Sequence, residues 1–249
     1  IHAWDRDIDR HLNSEYVPTY NPIEEYLYDV GKWDGKDRIR PLADLVPCKH
    51  PHWRDLFYRW FLSMVAHWMG RDKQHGNATT PILIGPQGYR KSTFCRILLP
   101  PELRFGYTDS LNFSSKVEAE RYLSRFFLVN LDEFDQISIN QQGFLKHLLQ
   151  KPMATLRKPY GSSFKEMRRY ASFIATSNHK DLLTDPSGSR RFICVEVTAP
   201  IRTNAPIDYT QLYAQAVHAI THGERYWLDE TDEALLKESN KEFQQSTPL

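Results

Sequence analysis

The chain has 249 residues, 32 Lys plus Arg against 31 Asp plus Glu, and a formal net charge of +1; 41% of it is hydrophobic and 13% aromatic. That apolar content buries enough surface to exclude disorder as the dominant state. The charge balance excludes a uniformly basic nucleic-acid binder and leaves a local basic patch untested. Three scattered cysteines, Cys48, Cys95 and Cys194, exclude a disulfide framework and point to a reducing, cytoplasmic setting. The longest apolar stretch, 60–69, is too short to span a bilayer. No signal peptide is visible, and a start at Ile1 makes a fragment of a longer protein the expectation.

Residues 1–20 read as an entry segment. Asn21-Pro22 then supplies an N-cap followed by proline at the first helical position, opening a helix to about residue 29. Residues 33–37 read as a turn and 42–46 as a short helix. From Pro51, Trp53, Leu56, Phe57, Trp60, Phe61, Met64, Val65 and Trp68 form a helical stripe whose aromatics are expected in the core. Residues 1–75 are therefore a helical N-terminal segment, with the boundary in the polar run 71–79. The pattern then alternates: strand 81–84, helix 91–98, helix 116–123, strand 126–131, helix 141–150, a hairpin near 154–169, and strands 171–176 and 192–197. Strands interleaved with helices predict an α/β core over 76–200 with a mostly parallel sheet flanked by helices. Residues 201–249 close the chain with helices over 209–221 and 232–243.

The loop Gly85-Pro86-Gln87-Gly88-Tyr89-Arg90-Lys91-Ser92-Thr93 follows a strand and opens a helix. Gly85, Lys91 and Ser92 fit the phosphate-binding P-loop pattern, but Arg90 stands where the second glycine is required. Such a loop presents backbone N–H groups to phosphate; Lys91 would neutralise phosphate charge and Ser92 would place its hydroxyl on Mg²⁺. The bland alternative is a strand–turn–helix with a basic start, although Arg90 and Lys91 oppose the helix dipole unless an anion sits there. Residues 126–131 then end in Asp132-Glu133, 41 residues after Lys91. Asp132 suits Mg²⁺ and Glu133 suits activation of a water, unless the strand merely leaves the core into a polar loop. Strand 171–176 leads to Asn178, a water-orienting or phosphate-sensing candidate or a plain turn residue. Arg190 and Arg191 precede the last strand, either as surface charges or as fingers reaching a neighbour's phosphate.

Taken together, these segments resemble the virulence-associated protein E family, P-loop ATPases akin to superfamily 3 helicases. The resemblance covers 21–197 and rests on Asn21-Pro22 with Tyr26-Leu27, Trp33-Asp34-Gly35, the 85–92 loop, Pro159-Tyr160-Gly161, Thr176-Ser177-Asn178, and Gly188 with Arg190-Arg191-Phe192. It implies an AAA+-like P-loop NTPase fold, a homo-oligomeric ring with a hexamer among its sizes, and ATP-driven motion on DNA. The setting it implies is phage or mobile-element replication, in places beside a primase module. It also implies ATP and Mg²⁺ as cofactors and Lys91, Ser92, Asp132, Glu133 and Asn178 as site residues, with Arg191 favoured over Arg190 as the trans-acting finger. The departure at Arg90 puts the rate of hydrolysis in question, so an ATP-binding regulatory module with little turnover is the alternative.

Between 151 and 170, Lys151, Arg157, Lys158, Lys165, Arg168 and Arg169 face only Glu166, a local excess of five positive charges. Tyr160, Phe164 and Tyr170 are interleaved, as a strand-gripping hairpin requires: cations for phosphates and aromatics for bases. Arg157, Lys158, Tyr160 and Lys165 are the expected DNA contacts; a solvated surface hairpin is the alternative. Cys48, His50 and His52 crowd around a proline and read as a structural loop rather than zinc ligands.

Overall fold

The computed structural model describes residues 4–12, 14, 16, 20–71, 77–157, 164–184 and 186–244. Its centre is a five-stranded sheet of β1 (Thr80–Ile84), β2 (Tyr107–Thr108), β3 (Leu128–Leu131), β6 (Ser172–Ser177) and β7 (Phe192–Glu196), in the order β2-β3-β6-β1-β7. Every pairing is parallel, with Ile84 beside Ser177 and Leu131 beside Ala175. Parallel strands need both faces covered, so their residues run apolar on both sides rather than alternating with polar ones. Leu83, Leu128, Ile174, Ile193 and Val195 enter one core, and Ile82, Ile84, Val129, Leu131, Phe173 and Ala175 enter the other.

The first face is covered by helices from both ends of the chain: α2 (Pro22–Asp29), α3 (Ile39–Ala43), α4 (Trp53–Trp68), α5 (Lys91–Ile97) and α8 (Tyr209–Thr221). Trp53, Phe57, Trp60, Phe61 and Trp68 of α4 are at most 2% exposed, and Tyr213 of α8 stacks on Trp68 at 5.5 Å. Each such side chain stabilises the fold by about 1.5–3 kcal/mol on burial. The second face carries α6 (Lys116–Arg125) and α7 (Ile139–Gln150). Outside the sheet, β4 (Met153–Arg157) and β5 (Phe164–Arg168) form an antiparallel hairpin. No helix among the described residues is long and apolar enough to cross a membrane.

Several boundaries differ from the sequence expectation for local reasons. The entry segment contains α1 (Asp5–Leu12), an expectation missed because its residues are mostly charged. Helix α3 starts at Ile39 rather than after Pro41, since a proline in the first turn forfeits only an N–H that has no helical acceptor. Strand β3 begins at Leu128, because Phe126 N–H still caps α6 on Tyr122 and Phe127 N–H bonds to Gly106. Helix α7 begins two residues early, behind a capping box between Ser138 and Gln141. The last helix divides into α9 (Glu230–Ser239) and a 3-10 turn over Asn240–Phe243.

Candidate functional site

Because the strands are parallel, the loops leaving β1, β3 and β6 emerge at one edge of the sheet, where such folds bind ligands. There they enclose a cleft of about 360 Å³ lined by Gln87, Gly88, Tyr89, Arg90, Lys91, Ser92, Thr93, Asp132, Glu133, Thr176 and Asn178. Lys91 is only 6% exposed. Its Nζ donates to the carbonyls of Gly85 (2.5 Å) and Pro86 (2.9 Å) and to Asn178 Oδ1 (3.1 Å). Ser92 Oγ donates to Asp132 Oδ1 at 3.0 Å, and the Thr176 hydroxyl donates to the same oxygen. Asp132 and Glu133 themselves are exposed in the cleft. Gly85 passes so close to the end of β7 that a Cβ there would sit 3.0 Å from the carbonyl of Val197, so any side chain would make the backbone there shift by a few tenths of an ångström.

The backbone explains how the loop closes with one glycine fewer than its pattern asks. Gly88 has φ +84° and Arg90 has φ 61° and ψ 27°, so Arg90 takes the left-handed conformation that glycine adopts without strain. Glu133 is left-handed as well, at φ 52° and ψ 50°. Among the described residues these are the two non-glycine positions with positive φ, and both line the cleft. Strain of this kind costs about 1–3 kcal/mol per residue and persists where surrounding structure over-determines it, which is typical of functional sites.

The electrostatics follow from the same contacts. Burial pushes the Lys91 pKa down, while the carboxylates of Asp132 and Asp135 act to raise it. Burial likewise pushes Asp135 up, but hydrogen bonds from the Ser177 hydroxyl and the Asn178 N–H outweigh it and hold the carboxyl below its ordinary value. Thr176 and Asp135 therefore belong to the site although their residue types did not single them out. Thr176 stands in the Thr176-Ser177-Asn178 motif of the resemblance without a role of its own, and Asp135 follows the acidic pair in sequence.

The family model of the virulence-associated protein E-like domain matches residues 27–245. The chain belongs to this family. Three apo structures of the NrS-1 C-terminal region are similar to this VapE-like domain, each with 15% sequence identity. Their TM-scores are 0.49, 0.43 and 0.39, and they cover 84%, 86% and 85% of this chain. The VapE-like domain spans 50%, 47% and 57% of those chains, about half their length. No curated protein matches it.

Two groups of predicted residues lie away from the cleft of the VapE-like domain. Arg190 and Arg191 precede Phe192, which pairs with Thr80 at the start of β1, whereas the cleft follows Ile84 at its end. About 13 Å of strand separates the two ends. Arg190 Nη1 pairs with Glu233 Oε2 at 2.9 Å, and Arg191 is half-buried.

The hairpin lies outside the central sheet and holds most of the basic run 151–170. Of its six cations, three are engaged by the fold. Arg168 bonds to Glu24 at 2.6 Å and to the carbonyl of Trp68. Lys151 bonds to Glu120 at 2.6 Å. Arg169 is 1% exposed and donates to the carbonyls of Ala171, Leu149, Lys151 and Asn77. Half of the basic residues in this run are therefore tied to the body of the fold. Arg157 and Lys165 stand on the paired strands, with Arg157 opposite Phe164 and Lys165 opposite Leu156. Lys158 and Tyr160 lie outside the described residues.

Proposed function

We propose that this domain hydrolyses ATP and drives motion on DNA in the replication of a phage or mobile element, as a P-loop, AAA+-like unit of a homo-oligomeric ring, with a primase module as a partner. The observation that supports this best is the convergence of Lys91, Ser92, Asp132, Glu133 and Asn178 in one cleft. These residues come from three loops 40 and more positions apart, and parallel strand order brings them together.

The donor set fits a nucleotide with Mg²⁺. A hydroxyl and a carboxylate held 3.0 Å apart, Ser92 and Asp132, are the hard oxygen ligands Mg²⁺ takes alongside waters and phosphates. When bound there, the ion supplies charge neutralisation on the phosphates. Lys91 exchanges the carbonyls of Gly85 and Pro86 for phosphate oxygens, and the loop's N–H groups at the start of α5 face the same cleft. Glu133 takes the proton from the attacking water, and Asn178 orients that water or the phosphate it meets. Arg191, or Arg190, of a neighbouring copy supplies the remaining cation, because neither reaches the cleft of its own chain. An arginine finger that stabilises transition-state charge contributes on the order of 10³–10⁵ in rate.

The alternative of a nucleotide-binding module with little turnover takes its motive from Arg90. The left-handed backbone at Arg90 weakens that motive, since the phosphate loop closes without the glycine. A single-turnover ATPase assay with and without single-stranded DNA separates the two, hydrolysis stimulated by DNA being the expected result. In the same assay Lys91→Ala loses turnover at least about 100-fold. Full turnover by a folded Lys91→Ala chain overturns the proposal.

A further inference from the structure

We infer that Asp135 is a positioning residue of the cleft: it ties the turn that carries Glu133 to the strand end that carries Asn178. The inference rests on the hydrolytic reading above and names a residue which that reading does not use.

Asp135 lies two residues past Glu133, in the 3-10 turn Phe134–Gln136. Its Oδ1 accepts from the backbone N–H of Asn178 at 3.3 Å and shares the Ser177 hydroxyl, at 2.8 Å, with the His179 carbonyl at 2.7 Å; Gln136 Nε2 donates to Oδ2 at 3.1 Å. Ser177 is 1% exposed and is the last residue of β6, so the carboxylate is anchored to the sheet rather than to a loop. From Asn178 the connection continues. The Asn178 Oδ1 accepts from Lys91 Nζ, which also holds the carbonyls of Gly85 and Pro86. The Gly85 N–H in turn donates to the carbonyl of Ser177 at 3.1 Å. One carboxylate thus closes a circuit through the acidic turn, the β6 terminus and the phosphate loop.

The turn needs such an anchor. Glu133 sits in left-handed backbone, a conformation that a non-glycine residue keeps only when its surroundings fix it. Within the turn, Gln136 N–H bonds to the Glu133 carbonyl at 2.8 Å, and Phe134 is fully buried against Phe192. Those contacts hold the turn's shape and its inner side. Asp135 alone of the turn's side chains bonds to the strand end at Ser177 and Asn178, and so sets the Glu133-to-Asn178 spacing. The carboxylate is a pure acceptor here: its partners are donors and hold it ionised at neutral pH. It also stands as a counter-charge to Lys91.

The test compares Asp135→Ala and Asp135→Asn with the unaltered chain in ATP turnover with Mg²⁺, alongside hydrogen exchange at the Asn178 amide. Misplacing catalytic groups by about 1 Å costs about 100-fold, so Asp135→Ala should lower kcat by about 10- to 100-fold with KM for ATP within about threefold. Asp135→Asn keeps an oxygen acceptor for Ser177 and Asn178 and should recover most of that loss. Wild-type kcat in Asp135→Ala overturns the inference, as does an Asn variant no better than the Ala variant. The exchange measurement stands apart from turnover. Protection of the Asn178 amide should fall at least about tenfold in Asp135→Ala; unchanged protection overturns the clamp. A chain that binds ATP without hydrolysing it would sink the hydrolytic reading, while the amide protection would still decide the clamp.

Discussion

The strand-end cleft and the β4–β5 hairpin are both rich in charged residues, and the fold uses those charges in opposite ways. In the cleft, Lys91, Ser92, Asp132 and Asn178 bond to one another or to the loop that carries them, at the surface where a ligand would enter. At the hairpin base, Lys151, Arg168 and Arg169 point back into the protein and are satisfied by Glu120, Glu24 and main-chain carbonyls. A run of basic residues in sequence thus includes a population, Lys151, Arg168 and Arg169, that builds the hairpin's root. Charge counting alone does not reveal it, because it carries no information on which carbonyls lie within reach.

The largest effect in this comparison should come from Arg169. Arg169→Met leaves the buried carbonyls of Ala171, Leu149, Lys151 and Asn77 without that donor. The expected loss is about 3–5 kcal/mol of folding stability, read from urea midpoints; a loss below about 1 kcal/mol would mean that Arg169 is no more structural than the tip cations. Toward the tip, the double change Lys158→Ala with Lys165→Ala should leave stability within about 0.5 kcal/mol. It should also weaken single-stranded DNA binding and flatten its salt dependence by about one unit for each phosphate no longer gripped. Unchanged binding would reject the hairpin as a DNA contact.

Two smaller effects sharpen the cleft's side of the comparison. Arg90→Gly relieves a left-handed residue at the expense of unfolded-chain entropy, so stability should rise by no more than about 1 kcal/mol while ATP binding is kept. A clear loss of stability would show that the Arg90 side chain supports the loop. The pH dependence tests Asp135, whose folded pKa lies below the ordinary 3.8. A depressed carboxyl stabilises the fold above its unfolded pKa and loses that contribution as pH falls through the folded value. Urea midpoints of the unaltered chain should therefore fall more steeply below about pH 4 than those of Asp135→Asn. Parallel curves would show that Asp135 makes no difference in the folded state.

What the sequence made legible was whatever depends on order and pattern. Apolar runs ending in Gly85, Asp132 and Asn178 marked strand ends, and parallel pairing then brought those ends to one edge. The α4 aromatics announced a core by helical spacing, and they form one. What stayed hidden depends on partners distant in sequence. Nothing local distinguishes Arg169, buried among carbonyls from two other segments, from Lys158 eleven residues earlier. Thr176 and Asp135 reach Asp132 and Asn178 only across strands, so residue type could not reveal them. Helix α1, with its charged composition, lacks the apolar density by which the other helices were read.

The sheet's uniform strand direction has one more consequence. The chain carries a vector: the Arg190–Arg191 pair stands at its tail, while Lys91 and the acidic pair stand at its head. Copies joined tail to head all face one way round, and the series either closes or leaves one unused head and one unused tail. A Lys91→Ala copy damages only its own head, and an Arg191→Ala copy only its own tail. In the proposed ring ATPase each variant is inert by itself, yet every junction in a blend that sets an intact tail against an intact head works again. Blending two dead variants would therefore restore activity, in proportion to how often those junctions arise.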